Sequence, residues 1–326
     1  MIIKRNIYCW TCDYSKTSGE GYLARKFVKD LSRYYNVIIK APDRTFYKLE
    51  KFIPQNIIQR FMYPFFGLIS CWYFFLLRKK ICYLNYLPMW NFLIFIFLPP
   101  KTIIGPITGG ANYNKDNLIN YFIRKFIFPL CYNISQFFIK IRFKKIIFST
   151  ELLKTYLNKN LIKKSVFNYI LSAYQKKKDK KKDIDFLIYY RKHINKNEFS
   201  IKNFINLLIK NKINVNVVGD HYNNPNVKNY GRVSLKRIHY LLARTRFSIA
   251  STENLYSLFT MHCISNKVII YINKNSYNKN IKYFSKNFIK FNFNSKSIKL
   301  KKRKITYKPT EFLNIKKTIN VFFGSL

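Results

Sequence analysis

Residues 185–220 read DFLIYYRKHINKNEFSIKNFINLLIKNKINVNVVGD, and this stretch decides the fold class. Its two ends, residues 185–190 and 214–218, are short apolar runs typical of buried strands. Between them, residues 199–210 carry apolar side chains at helical spacing. A strand, a helix and a second strand in succession predict parallel pairing and a sheet covered by helices.

The same alternation extends in both directions from this stretch. Downstream, the pattern predicts strands at 230–233, 247–250 and 267–272 and helices at 235–245, 255–265 and 312–323. Upstream, it predicts strands at 6–12, 36–41, 81–87, 102–105 and 145–149. A helix at 22–34 has Leu23, Phe27 and Leu31 spaced four apart. Between the two series, residues 176–183 (KKKDKKKD) have no apolar face and indicate a solvated connector.

The predicted fold class is therefore α/β, with two Rossmann-like doubly wound domains facing each other across a cleft. The predicted boundaries are an N-terminal domain at 1–172, a Lys-rich linker at 173–184, a C-terminal domain at 185–308 and a final helix at 309–326. A chain of 326 residues is long enough for two such domains.

Composition and charge narrow the function classes. Hydrophobic residues make up 48% of the chain and aromatic residues 18%, which excludes intrinsic disorder for most of it. Lys and Arg number 60 against 14 Asp and Glu, a formal net charge of +46. Such an excess ordinarily indicates a polyanionic partner. Lys is, however, enriched together with Ile, Asn, Phe and Tyr, which share A/T-rich codons, so a drift in composition explains much of the charge. A nucleic-acid partner is the less favoured alternative.

A CxxC spacing and two apolar segments raise the questions of a redox role and of contact with a membrane. Cys9 and Cys12 form a CxxC spacing, but they lie in or just after a predicted strand, so we interpret them as strand cysteines. The start of the chain lacks the features of a signal peptide. Residues 61–77 and 83–100 are apolar but interrupted by Pro or Gly, which favours core elements or a membrane-facing surface over true spans. These points predict a cytoplasmic protein, and the apolar, aromatic and basic first domain predicts peripheral contact with the cytoplasmic face of an anionic membrane.

Candidate binding residues are sought where strands end, because ligands of parallel sheets bind there. After the first strand, Gly19 and Gly21 open a helix whose N-terminus favours an anion, although a plain tight turn explains the pair as well. After the fourth strand, residues 105–110 (GPITGG) contain Thr108, Gly109 and Gly110, which predict a loop close to a ligand or a simple turn.

The second series offers charged candidates. Arg191 and Lys196 lie five apart beyond the first strand of that series, where both cations can reach a diphosphate. Glu253 follows the strand at 247–250, and Asn254 follows Glu253. Because acidic residues are scarce in this chain, a Glu at a strand end is a candidate catalytic residue; capping of the next helix is the alternative.

These motifs resemble those of GT-B glycosyltransferases, specifically family 4 (glycosyl transferases group 1). Arg191 and Lys196 match the Arg and Lys of the family's G-R-L-x-x-x-K-G pattern, without its glycines. Residues 217–220 (VVGD) resemble a family strand end, and Glu253 matches the first Glu of E-x7-E. Position 261, where the second Glu belongs, is Met261, and this puts binding of the nucleotide ribose in doubt.

The resemblance implies a donor domain at 185–308, an acceptor-side domain at 1–172 and a last helix that crosses back to it. It implies a glycosyltransferase that moves a sugar from a nucleotide-sugar donor to a glycan or lipid-linked acceptor in surface polysaccharide or glycolipid assembly. Glu253 is then the catalytic residue. Arg191, Lys196, Gly19 and Gly21 bind donor phosphate, and Thr108, Gly109, Gly110 and Asn254 form the donor/acceptor loops.

The resemblance further implies retention of anomeric configuration. No Asp-x-Asp motif follows a strand, since Asp183 and Asp185 precede one, so neither metal nor other cofactor is expected. The alternatives are a catalytically degenerate GT-B protein that acts as a binding or scaffold subunit and a basic nucleic-acid-binding protein.

Overall fold

The computed structural model describes residues 4–15, 18–40, 57–85, 87–109, 118–178, 180–192, 198–251, 254–274, 281–301, 303, 305 and 309–325. The chain divides into two compact units. Unit 1 comprises Met1–Ala111, Phe122–Ser172 and Lys316–Leu326, and unit 2 comprises Asn112–Tyr121 and Ala173–Ile315. Each unit is an α/β structure built on a parallel sheet, as the sequence predicts.

Strands and helices alternate along the first half of the chain. In chain order the elements are β1 (Asn6–Trp10), α1 (Gly19–Leu31), β2 (Asn36–Lys40), α2 (Ile57–Leu76), β3 (Lys80–Tyr83), α3 (Phe92–Phe97), β4 (Ile103–Ile104), α4 (Leu118–Phe122), α5 (Phe128–Arg142), β5 (Ile146–Ile147), α6 (Lys159–Lys164) and β6 (Ser165–Val166). A π-helical turn, Ile123–Ile127, joins α4 to α5.

The sheet of unit 1 has the order β2-β1-β3-β4 among the described residues, and its pairings are parallel. Cys9 of β1 pairs with Ile39 on one side and Cys82 on the other. The predicted fifth strand at 145–149 lies beside the segment that follows β4: Ile107 forms a parallel bridge with Phe148, and the Ile107 N–H donates to the Ile147 carbonyl at 2.8 Å. Only β5 forms there, and it pairs with β6 in a separate two-stranded sheet.

Helix α1 shows how sequence produces structure in unit 1. Ser18 caps it, with its hydroxyl accepting a hydrogen bond from the Gly21 N–H, and Leu23, Phe27 and Leu31 form the buried stripe. The ring of Phe323, near the chain end, packs 4.9 Å from that of Phe27. The end of the chain therefore packs on α1 of unit 1.

The second half of the chain continues the alternation. Its elements are β7 (Ile184–Tyr190), α7 (Glu198–Lys210), β8 (Val215–Gly219), β9 (Val227–Asn229), α8 (Leu235–Arg244), β10 (Thr245–Ile249), α9 (Leu258–Ser265), β11 (Ile269–Asn273), β12 (Phe288–Phe291) and α10 (Pro309–Gly324). The strand expected at 230–233 lies slightly earlier, as β9. The helix expected to begin at residue 255 begins at Leu258, because Ser257 is its N-cap.

The sheet of unit 2 is parallel, with the order β12-β11-β10-β7-β8-β9 among the residues described. Aromatic rings fill its core: Phe186 stacks 5.3 Å from Phe247, and Phe204 lies 4.3 Å from Phe293. Asp183 and Asp185 pair with Arg244 and Arg246, where β7 and β10 begin. These carboxylates lie at the edge opposite the strand ends where ligands of parallel sheets bind.

Within the described ranges, no helix has both the length and the apolar content that crossing a bilayer requires. In α2, Pro64, Gly67, Leu68 and Cys71 are buried against unit 1. The opposite side of the same helix is exposed and is also apolar.

Candidate functional site

The strand order of each sheet defines where a ligand can bind. In a doubly wound sheet the crevice opens at the carboxyl ends of two adjacent strands whose connections run in opposite directions. In unit 2 that point lies between β7 and β10, and in unit 1 between β1 and β3. We describe the two edges separately.

At the β7 side of the unit 2 edge, cations surround one carboxylate. Asp220 accepts a hydrogen bond from the Lys192 N–H at 3.0 Å and forms an ion pair with Arg232 at 3.0 Å. The hydrogen bond from Arg232 lowers the pKa of Asp220, and the charge of Arg191 acts in the same direction. Arg191 is exposed, and no hydrogen bond or ion pair engages its side chain within the described part of the chain. A positive charge is therefore available beyond the end of β7.

A glycine turn shapes the same edge. Gly219 has a φ of +110°, and a Cβ there would lie 2.2 Å from the Tyr190 carbonyl oxygen. The N–H of Asp220 donates to that carbonyl at 2.9 Å. Only glycine allows β8 to end this close to β7 and so to place Asp220 beside Arg191 and Lys192.

On the β10 side, a polar loop leads into α9. The parallel pairing of β10 with β7 places Thr245 beside Ile184 and Phe247 beside Phe186. Continued in the same register, it places Ser251 beside Tyr190, the residue that precedes Arg191. Asn254 Oδ1 accepts the Tyr256 N–H at 3.1 Å. The Tyr256 hydroxyl in turn bridges the backbone of Tyr283, donating at 2.8 Å and accepting at 3.0 Å. Asn254 thus shapes this loop, through a side-chain oxygen that is already engaged.

The position of the missing second Glu is part of the core. Met261 is completely buried in α9. An apolar side chain without exposed surface offers nothing to a ribose hydroxyl. Any carboxylate that holds a ribose in this unit must therefore come from elsewhere in the chain.

Two histidines pack between α8 and α9. The rings of His239 and His262 lie 4.5 Å apart, and His239 Nδ1 lies 3.2 Å from Asn266 Nδ2. Burial, with a contribution from the Lys177 charge, lowers the pKa of His239 to about 4. Burial and the neighbouring His239 lower the pKa of His262 to about 3. Both rings are therefore neutral at physiological pH and are packed against each other between the two helices.

At the unit 1 edge, Asn85 holds the loop that follows β1. Its Oδ1 accepts hydrogen bonds from the Cys12 N–H at 2.8 Å, the Asp13 N–H at 3.2 Å and the Thr11 hydroxyl at 3.0 Å. Its amide also donates to the Asp13 carbonyl oxygen. Asn85 itself is 3% exposed. One buried side chain thus joins the ends of β1 and β3.

Carboxyl groups lie where α1 begins. The Asp13 carboxylate accepts a hydrogen bond from the Ser15 N–H at 2.8 Å and a short one from the Ser18 hydroxyl. Burial, helped by the Asp13 charge, raises the pKa of Glu20 to about 7. A Cβ at Gly21 would lie 2.4 Å from the Ser15 carbonyl oxygen, so this glycine lets the helix pack directly on the loop. Gly19, at the first position of the helix, is exposed.

The loop after β4 packs against the same edge. A Cβ at Gly105 would lie 1.9 Å from the Leu84 carbonyl oxygen, next to Asn85. Thr108 donates its N–H to the Leu87 carbonyl at 3.1 Å. Gly109, at a φ of +130°, is exposed and has no close neighbour except Leu153 Cδ1, 3.7 Å from where its Cβ would lie.

Three predicted site residues, Lys196, Glu253 and Gly110, lie outside the described residues. Four residues contribute to the two edges although the sequence patterns did not predict them as site residues: Asp13, Glu20, Asn85 and Asp220. The sequence could have indicated Asp13 and Asp220 as site residues, since each is a scarce acidic residue shortly after the end of a strand. Asn85 was hidden because the predicted strand at 81–87 was too long.

The CxxC pair is not reactive. Cys9 lies in β1 and Cys12 just after it, and both are buried free thiols. Burial raises the pKa of Cys12 to about 12, so its thiolate is negligible at neutral pH. This geometry agrees with two strand cysteines.

Comparison with known proteins gives similarity in fold. Neither a protein-family model nor a curated protein sequence matches the chain. A solved structure described as a UDP-N-acetylglucosamine 2-epimerase from Listeria monocytogenes matches 83% of this chain and 79% of its own, at 8% identity and a TM-score of 0.47. The UDP-GlcNAc 2-epimerase of Methanocaldococcus jannaschii, solved with UDP-GlcNAc and UDP, matches 84% of each chain at 12% identity and a TM-score of 0.41. An α-glucosyltransferase solved with UDP and a 13-mer DNA matches 100% of this chain and 93% of its own, at 9% identity and a TM-score of 0.43.

Proposed function

We propose that the chain is a glycosyltransferase that moves a sugar from a nucleotide-sugar donor to a glycan or lipid-linked acceptor. The observation that carries this proposal is the unit 2 edge: an exposed Arg191 whose side chain forms no hydrogen bond or ion pair with the described residues, at the crevice between β7 and β10. A nucleotide sugar presents a diphosphate, which a guanidinium binds through paired hydrogen bonds.

Charge stabilisation is the main catalytic contribution in this proposal. When the sugar leaves, negative charge grows on the diphosphate, and fixed cations next to it lower the barrier. Arg191 and Lys196 are assigned that role, without a metal ion. Glu253 is assigned to positioning the transferred sugar, and Asn254 to shaping the loop beside it. Transfer is proposed to retain anomeric configuration.

The unit 1 edge is assigned to the acceptor. Asp13 is buried and its two oxygens are engaged by Ser15 and Ser18, so its charge opposes a phosphate at the start of α1. Glu20 is partly exposed and is the carboxyl group there that can accept a hydrogen bond from a sugar hydroxyl. We therefore place the diphosphate at Arg191 and Lys196 and assign Gly21 to the close packing of α1, whereas the exposed Gly19 keeps a backbone N–H that a donor phosphate could reach. The loop with Thr108, Gly109 and Gly110 is the other wall of the acceptor region.

The setting proposed is the cytoplasmic face of a membrane, in the assembly of surface polysaccharide or glycolipid. The test is turnover of a panel of radiolabelled UDP-, GDP- and CMP-sugars, measured as hydrolysis without acceptor and as transfer with total lipid extract. We expect one donor to turn over, and Arg191→Ala to reduce that turnover while the matched Arg246→Ala, at the opposite edge of the same sheet, does not.

A second candidate is a catalytically degenerate protein that binds a nucleotide sugar or a partner without turnover. The burial of Met261 favours it, because the ribose-binding carboxylate of the resembled family has no equivalent there. Binding of a donor without hydrolysis or transfer is the outcome that would favour this candidate over the enzyme.

A further inference from the structure

Three helices of unit 1 end together in an exposed apolar surface. The Trp72 Nε1 of α2 donates to the Phe97 carbonyl of α3 at 2.7 Å. Arg142, the last residue of α5, donates to the Ile96 carbonyl and, at 2.5 Å, to the Leu98 carbonyl. These bonds place the carboxyl-terminal ends of α2, α3 and α5 side by side.

The side chains at these ends are apolar and face solvent. Leu76 is 74% exposed, Phe97 53% and Ile141 65%. The preceding turns of α2 and α5 also expose Ile69, Trp72, Tyr73 and Phe137. We call these seven residues the apolar face. If each side chain leaves about 100 Å² uncovered, the apolar face spans on the order of 700 Å², more than the largest patch of a typical monomer.

Cations border the apolar face. Exposed Lys79 follows α2, Lys101 follows α3, and Lys140 and Lys144 lie at the end of α5. Residues 57–150 contain 12 Lys and Arg and a single acidic residue, Asp116. An apolar centre bordered by cations matches the acyl and headgroup layers of an anionic bilayer.

We propose that the apolar face inserts into the headgroup region of an anionic lipid bilayer and holds unit 1 at the membrane surface. The proposal deepens the proposed function, on which it rests for its purpose, because it brings a lipid-linked acceptor to the protein. Binding itself needs neither donor nor transfer.

The composition of the apolar face favours lipid over nucleic acid. Its most exposed members, Leu76, Ile69 and Ile141, are aliphatic. Single-stranded nucleic acids bind through aromatic rings that stack on bases, and an aliphatic side chain has no ring for that. Trp72 and Tyr73 belong to the residue types that concentrate at the membrane interface.

The experiment is co-sedimentation of the full chain, without nucleotide sugar, with vesicles of equal parts phosphatidylglycerol and phosphatidylcholine, and with vesicles of phosphatidylcholine alone. We expect binding to the anionic vesicles, weaker binding to the neutral ones and a further decrease with salt. The triple variant Leu76→Ser, Phe97→Ser, Ile141→Ser should lower binding by at least about tenfold. The control Tyr34→Ser, Val321→Ser changes exposed apolar residues elsewhere on unit 1 and should bind like wild type.

A second measurement locates the contact. Brominated lipid should quench the fluorescence of wild type and of Trp90→Phe, and Trp72→Phe should lose most of that quenching. The proposal is wrong if wild type stays in the supernatant with anionic vesicles or if the triple variant binds as wild type does. It is also wrong if light scattering shows a dimer that the triple variant disperses, since the apolar face is then an interface between two copies. Because no donor is present, these results are independent of the turnover assay.

Discussion

Replacement of Asn85 by Ala tests how the unit 1 edge is held together. The side chain is buried and accepts hydrogen bonds from the N–H groups of Cys12 and Asp13 and from the Thr11 hydroxyl. The single hydrogen of the Thr11 hydroxyl can be donated to the Asp13 carbonyl oxygen at 2.8 Å instead, so the variant leaves chiefly two buried backbone donors without an acceptor. Each such group costs about 1–3 kcal/mol, and we expect a loss of about 3 kcal/mol in the free energy of unfolding.

The assay is urea unfolding followed by tryptophan fluorescence. All three tryptophans, Trp10, Trp72 and Trp90, belong to unit 1, so the signal reports on that unit. Asn85→Ala should lower the urea concentration at which half of the protein is unfolded, without changing the dependence of the free energy of unfolding on urea. The control Asn133→Ala removes an exposed Asn from α5 and should change the free energy by no more than about 0.5 kcal/mol. A loss for Asn85→Ala no larger than that of the control would refute this account of the loop.

Two further predictions concern pH. Because the pKa of Glu20 is raised to about 7 in the folded protein, unit 1 should lose stability as the pH rises from about 5 to about 7, and Glu20→Gln should flatten that slope in the fluorescence-detected midpoint. If the midpoint of Glu20→Gln depended on pH as steeply as that of wild type, the raised pKa of Glu20 would be contradicted. Because the pKa values of His239 and His262 are lowered to about 4 and about 3, unit 2 should lose stability as the pH falls from about 6.5 to about 4. Far-UV circular dichroism against urea checks this, and His239→Gln should lessen the loss.

The alternation of strands and helices could be predicted from sequence because apolar periodicity is a local property. The strands at 185–190 and 214–218 and the helix at 199–210 closely match β7, β8 and α7. The strand at 145–149 could not be placed, since its apolar pattern is the same whichever sheet it joins. Its pairing with Ser165 and Val166 depends on a contact distant in sequence.

The same difference between local patterns and contacts distant in sequence applies to the site residues. The end of the apolar run at Tyr190 predicted that Arg191 lies just beyond a strand, and β7 does end at Tyr190; the role of Arg191 stays a prediction. Sequence could not show that Asn85 binds the loop after β1, about 70 residues away, as this requires the two strands to be adjacent. Nor could it show that Met261 is buried, since α9 mixes apolar residues with Thr260, His262 and Ser265 around the helix and no one-sided apolar stripe identifies its buried side.

The central claim is that unit 2 binds a nucleotide diphosphate at Arg191. Isothermal titration of the full chain with the diphosphates UDP and GDP tests it most directly, with the monophosphate CMP as a comparison, Arg191→Ala as the variant and Arg246→Ala as the matched control. The account predicts that one nucleotide binds and that Arg191→Ala weakens it about 10- to 100-fold, the loss of a charge-assisted contact, whereas Arg246→Ala leaves it unchanged. Equal affinity for wild type and Arg191→Ala, or no binding of any nucleotide, would contradict it.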